Sequence, residues 1–71
     1  RALDLWNLFD GICFDKDENI IMIQIKTNAW AKEAPIKSFV NTHKNIIAIS
    51  INVKGKNGKW TVYKRDYYAQ G

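Results

Sequence analysis

Short apolar runs alternate with polar breaks along this chain, and the pattern predicts five elements. Leu8 to Phe14 reads as a strand. Asp15-Lys16-Asp17-Glu18-Asn19 is a polar turn, and Ile20 to Lys26 is a second strand, so the two should form an antiparallel hairpin. Thr27 to Ala34 is a connection. Pro35 suits the first helical position, where its missing N–H costs nothing. Ile36, Phe39, Val40 and His43 then recur at i, i+3, i+4 and i+7, one face of a short helix ending near Lys44-Asn45. Ile46 to Val53 is a third strand, rich in β-branched residues. Lys54-Gly55-Lys56-Asn57-Gly58 is a turn in which Asn57-Gly58 suits the positive φ angles of type I′. Lys59 to Arg65 is a fourth strand, and the residues from Tyr67 onward have no assigned element.

The order is therefore β-β-α-β-β, an α/β domain with a mixed sheet and one packed helix. The second strand, the helix and the third strand read as a right-handed crossover between parallel strands. Both central strands are apolar enough to be covered on two faces, yet a single helix covers only one. A further element, a second subunit or DNA must cover the other.

Two polar residues interrupt the second strand: Gln24 and Lys26 in Ile20-Ile21-Met22-Ile23-Gln24-Ile25-Lys26-Thr27. Lysine is almost never fully buried without a partner, and Asp10, in the run before this strand, is the expected one. Residues i and i+2 of a strand share a face, roughly 7 Å apart. With the turn centred on Asp17, Phe14 pairs with Ile20, Ile12 with Met22 and Asp10 with Gln24. Opposed side chains lie about 5 Å apart at Cβ, so Asp10, Gln24 and Lys26 would converge at the open end of the hairpin. A bulge at Gly11 would shift this register.

Such a trio has a chemistry. Mg²⁺ prefers oxygen ligands and keeps several waters. Asp10 offers a carboxylate, Gln24 a neutral amide oxygen and Ile25 a backbone carbonyl. The ion would polarise a phosphate and help generate hydroxide, while Lys26 would orient the water or stabilise developing charge. The competing reading is a plain Asp10–Lys26 ion pair at a sheet end, with Gln24 hydrogen-bonded beside it.

Composition narrows the classes. At 71 residues the chain is one domain, 46% hydrophobic and 25% charged, with no sign of disorder or low complexity. So small a core is marginal without a metal, a partner or further residues. One cysteine, Cys13, excludes an internal disulfide and favours a reducing, cytoplasmic setting. No run is long enough to span a membrane. The start at Arg1 rather than Met suggests an N-terminally trimmed fragment. The net charge of +4 is uneven: residues 1–18 hold five acids against two bases, the remainder nine bases against two acids. A basic domain attracts nucleic acid, although on charge alone a solvated lysine-rich surface is the favoured reading.

At Asp10 and Gln24-Ile25-Lys26 the chain resembles the PD-(D/E)XK nuclease superfamily, in its Holliday-junction-resolvase-like, restriction-endonuclease-like branch. There an acid precedes a hairpin and an E-x-K or Q-x-K triplet follows on the next strand. The extension Gln24-Ile25-Lys26-Thr27-Asn28-Ala29-Trp30 is similar to a small phage and archaeal subgroup, and the likeness covers roughly residues 5 to 53. It implies a Mg²⁺-dependent DNA endonuclease, with Mn²⁺ as a substitute ion, acting on branched or structured DNA as a homodimer. Asp10, Gln24 and Lys26 would be catalytic, and Asp10, Gln24 and the Ile25 carbonyl would hold the metal. Two departures stand out: this chain lacks the family's opening helix, and Gln24 replaces the commoner glutamate, which lowers the charge at the metal.

The remaining residues carry paired readings. Lys32 and Lys37, near the helix start, would touch phosphate or simply be solvated. Lys54, Lys56 and Lys59, with Lys64 and Arg65, would grip phosphate or guard an edge strand against aggregation. Trp60 and Tyr63 should face opposite sides of the last strand, with core packing expected and base stacking the alternative. Trp30 would line a DNA cleft or cap the core. His43 reads as a half-buried core histidine rather than a ligand. Cys13 faces away from Asp10 by alternation. No zinc cluster, phosphate loop or Ser-His-Asp set is present. Beside the nuclease stand a non-catalytic nucleic-acid-binding module of the same fold and an interaction domain in which the trio is only structural.

Overall fold

The structure, a computed structural model, describes residues 8–70. The elements follow in the order β1 (Gly11–Phe14), β2 (Ile20–Thr27), α1 (Glu33–Thr42), β3 (Ile46–Lys56) and β4 (Lys59–Tyr67). They form one four-stranded sheet in the order β1-β2-β3-β4. The outer pairs are antiparallel and β2 runs parallel to β3. Among the described residues the fold is thus α/β, with a mixed sheet and one helix.

Each turn has a local cause. Asp15 closes the first: its Oδ1 accepts the N–H of Asp17 at 2.8 Å and of Asn19 at 2.9 Å, and its Oδ2 accepts the Asn19 amide at 3.0 Å. This is a side-chain-built turn of the kind aspartate favours. The Asn19 side chain is the main reason the Asp15 carboxyl sits below its ordinary range. At the second hairpin, Asn57 (φ 54°) and Gly58 (φ 77°) both adopt positive φ, as type I′ requires. Lys54, Gly55 and Lys56, expected in a longer turn, extend β3 instead. Gly55 is needed there because the Trp60 ring lies across it: a Cβ at Gly55 would sit 2.5 Å from Trp60 Cζ3.

The helix begins at Glu33, so Pro35 occupies its first turn rather than its first position. The early N–H groups of a helix lack intrahelical partners anyway, and proline loses nothing there. The helix stops at Thr42, and His43 N donates to Phe39 O at 2.9 Å. His43 is exposed, with its ring 4.5 Å from that of Phe39, rather than half-buried in the core.

Ile36, Phe39 and Val40 of α1 pack with Phe9, Met22, Ala31, Ala48 and Tyr67 to make the core. Met22, Ala48 and Tyr67 form a row across three strands on the helix side. Tyr67, unassigned by periodicity, closes that row because β4 runs two residues past its expected end. On the opposite face Ile21, Ile23, Ile47, Ile49, Ile51 and Val53 are only half-buried, and Ile25 and Val62 are exposed. Residues 1–7, on which the expected lack of an opening helix falls, lie outside the described residues. No described helix is long and apolar enough to cross a membrane.

Candidate metal and nucleic-acid site

The hairpin register expected from the turn holds: Phe14 pairs with Ile20, Ile12 with Met22 and Gly11 with Ile23. It breaks one residue later. Asp10 N donates to Ile23 O at 2.7 Å, although Gly11 is already opposite Ile23. Two residues thus oppose one, which is a bulge. Its consequence is that Phe9 turns to the helix side, where its ring meets Phe39 edge-on at 4.9 Å. Asp10, released from direct opposition to Gln24, aims its carboxylate at the β2 backbone: Oδ2 accepts Ile25 N–H at 2.8 Å.

Asp10 and Gln24 nevertheless meet. With its NH₂ turned toward them, the orientation that satisfies its neighbours, the Gln24 carboxamide donates to Asp10 Oδ2 at 3.2 Å and to the Leu8 carbonyl. Turned over, the same amide would face these two oxygens with its own Oε1, and three acceptors would converge. Such a cluster suits a cation. Asp10 Oδ1 accepts no hydrogen bond among the described residues. The N–H and C=O of a strand residue leave on the same side, so the Ile25 carbonyl also points toward the Asp10 edge. Among the described residues no group of three His, Cys, Asp or Glu gathers. The corner therefore supplies one carboxylate and neutral oxygens. That meets the minimum for Mg²⁺, which commonly takes one or two carboxylates and draws its other ligands from water and phosphate.

Lys26 departs from expectation. It is exposed and forms no ion pair with Asp10. The helix-side cover ends below it, so its ammonium reaches water and needs no partner. The plain ion-pair reading fails with it.

The strand register reveals a larger polar field. Gln24 pairs with Ser50, which pairs with Arg65; Lys26 pairs with Asn52, which pairs with Tyr63. Alternation along β3 and β4 then puts Lys54, Lys56, Lys59 and Thr61 on the same side. The Lys54 ammonium, 6.0 Å above the Tyr63 ring, agrees with this. One face of the sheet thus holds the Asp10–Gln24 corner, Lys26 and the hairpin lysines. The expected core packing of Trp60 and Tyr63 is not found: both are exposed, Tyr63 on this face and Trp60 on the other. Lys64 also lies on the other face, 3.8 Å from Asp66.

Sequence reasoning passed over Ser50 and Asn52. Their spacing, polar at i and i+2 in an apolar strand, repeats that of Gln24 and Lys26 one strand over. Both are 1% exposed. Asn52 Oδ1 accepts Ala29 N–H at 3.0 Å, while Ser50 Oγ finds no partner among the described residues. Asn28, at φ 56°, adds a second tie: its N–H reaches Val53 O and its Oδ1 accepts Gly55 N–H at 2.9 Å. The connection after β2 is thereby pinned to β3.

A further cluster at the helix start was also unforeseen. Glu33 accepts the Tyr67 hydroxyl at 2.6 Å and lies 3.6 Å from Arg65 and 3.8 Å from Lys37. The Tyr67 hydroxyl is the main cause holding the Glu33 carboxyl below its ordinary range, ahead of Lys37 and Arg65. Burial, then Glu33, pushes Tyr67 up. Arg65 also stacks on Trp30 at 3.9 Å, so Trp30 is tied to the sheet by a cation. Lys37 is engaged by Glu33, whereas Lys32 is exposed at the helix N-cap. Compared with protein-family models, curated proteins and solved structures, the chain matches none.

Proposed function

We propose that this domain is a metal-dependent deoxyribonuclease of restriction-endonuclease-like fold. The observation that carries the reading is the sharing of one sheet face by the Asp10–Gln24 corner, Lys26 and the lysines at 54, 56 and 59. Asp10, Gln24 and the Ile25 carbonyl would hold Mg²⁺ or Mn²⁺. When bound, the ion polarises a phosphate and lowers the pKa of its water. Lys26, exposed on the same face, is free to orient that water and to meet charge developing on phosphate. Lys54, Lys56 and Lys59 neutralise the flanking backbone, and Lys32, exposed at the helix N-cap, adds a further cation. Lys37 contributes less, because Glu33 already engages it. A second copy on the apolar face would serve the need to cut two strands.

One observation favours a non-catalytic nucleic-acid-binding module instead: among the described residues the corner has a single carboxylate, already bonded to Gln24. Cleavage of branched and linear DNA with Mg²⁺, Mn²⁺ or chelator separates the two. Asp10→Asn is the informative variant, since it removes the charge but keeps an oxygen for Ile25 N–H. The nuclease reading expects divalent-dependent cleavage, at least about 100-fold slower in Asp10→Asn, with DNA affinity retained. Absence of cleavage by the unaltered protein with any divalent ion, while DNA still binds, leaves the binding module.

A further inference from the structure

We infer that the helix-side face of the β3–β4 hairpin beyond Asn52 is a platform for unpaired nucleic acid, with Tyr63 as the stacking ring. The inference rests on the nucleic-acid reading above and names the form of strand the face accepts.

Three observations meet there. Tyr63 is 48% exposed although its register partner Asn52 is 1% exposed. A large flat ring therefore stands open where the covered part of the sheet ends. Beyond it, Lys54 pairs with Thr61 and Lys56 with Lys59, all on that same side. Successive rows stand roughly 7 Å apart, comparable to one extended nucleotide. No acid occurs between Glu33 and Asp66 in the sequence, so no carboxylate of that stretch competes for these ammonium groups.

The combination of a ring flanked by cations selects for form. Lysines alone bind any phosphate backbone, duplex or single strand, with an affinity that falls as salt rises. An exposed aromatic ring rewards only bases that have left the stack. Lys54, already above the Tyr63 ring, is set to hold the phosphate beside the stacked base. Trp60 is more exposed still but lies across Gly55 on the other face, so it takes no part. The strip leads from the hairpin toward Lys26 and Gln24, so a strand laid along it runs to the metal corner.

Fluorescence anisotropy in chelator, so that nothing is cut, tests this with oligothymidylate and a blunt duplex of equal length. The unaltered protein should prefer the single strand. Tyr63→Leu should weaken single-strand binding roughly 5- to 100-fold, with duplex binding little changed, and Tyr63→Phe should restore it. Trp60→Leu should alter neither. A 2-aminopurine base in the oligonucleotide, quenched on binding the unaltered protein, reports stacking without any substitution. Equal affinity for both forms, equal loss of both in Tyr63→Leu, or an unquenched probe overturns the inference. Lack of cleavage with Tyr63-dependent binding intact removes the nuclease reading alone. Lack of any salt-sensitive binding removes both.

Discussion

The two faces of this sheet are built from the same strands and behave differently. The helix side is divided along its length: Met22, Ala48 and Tyr67 are sealed under α1, while Gln24, Ser50, Arg65, Lys26, Asn52 and Tyr63 follow in the next two rows. On the other side the two central strands are aliphatic, from Ile21 to Ile25 and Ile47 to Val53, with Trp60, Lys64 and Asp66 of β4 beside them, and none of these residues is fully buried. A covered face can end in a polar field because the helix marks where the core stops. The uncovered face has no such boundary, and an apolar patch of that kind is how proteins mark a contact surface.

The sharpest way to break the comparison is to compare one residue from each side. Ile36 is 0% exposed, and Ile36→Ala should cost about 2–5 kcal/mol. Ile49, half-buried at the centre of the other face, should cost only about 1 kcal/mol on the same change. Denaturant unfolding measures both. Equal losses would mean that the aliphatic face is buried in solution, and a dependence of the Ile49→Ala loss on protein concentration would identify a second copy as its cover.

A smaller effect separates the two buried polar residues of β3. Asn52→Ala removes the acceptor for Ala29 N–H and should cost about 1–3 kcal/mol, because a part-buried donor is left unmade. Ser50→Ala removes a hydroxyl with no partner among the described residues, so it should be neutral or stabilising. A loss in Ser50→Ala close to that of Asn52→Ala would show that the hydroxyl has a partner in solution, with water the first candidate.

How much of this was legible beforehand follows from how local each cause is. The element order, both hairpins, the Asn57-Gly58 turn and the pairing of Ile12 with Met22 rest on alternation and turn residues within a few positions. The bulge at Asp10 does not. Gly11 hinted at it, but the packing that goes with it, Phe9 against Phe39, joins residues 30 apart in the chain. Tyr67 joined the core for a similarly distant reason, its register opposite Ala48. Lys26 was expected to need a partner because the strand around it is apolar; where the helix cover ends decides that, and periodicity does not report it. Asp10 and Gln24 came together by another route than direct opposition. The triplet drew attention to this end of β2 and gave no warning of Ser50 and Asn52 beside it.

Charge offers a milder comparison. Lys56 and Lys59 on the polar face have no ion pair among the described residues, whereas Lys64 on the aliphatic face lies beside Asp66. Replacing Lys56 and Lys59 by Ala should reduce the salt dependence of duplex binding by up to about 0.9 in slope for each phosphate that is no longer neutralised. Lys64→Ala should leave the slope unchanged. Anisotropy titrations over a range of salt read both, and a slope that falls only in Lys64→Ala would move the nucleic-acid surface to the other side.

The smallest expected effect is one of pH, at the cluster where the helix meets the sheet. The Glu33 carboxyl is held below its ordinary value of 4.5, chiefly by the Tyr67 hydroxyl. A carboxyl with a depressed folded value adds stability above the unfolded value, and that stability fades as pH falls through the folded one. Tyr67 is raised above its ordinary 10.0, so its share is present below that value and is lost as pH rises through the folded one. Tyr67→Phe removes the hydroxyl's share of the first effect and all of the second, leaves Lys37 and Arg65 beside Glu33, and keeps the ring in the core. The stability difference between the unaltered protein and this variant should therefore be flat between about pH 5 and 9 and shrink at each end. Exposure of Glu33 to solvent keeps the acid limb shallow, and salt should flatten it further. A difference that grew below pH 4 would mean that Glu33 is stabilised by something other than this hydroxyl.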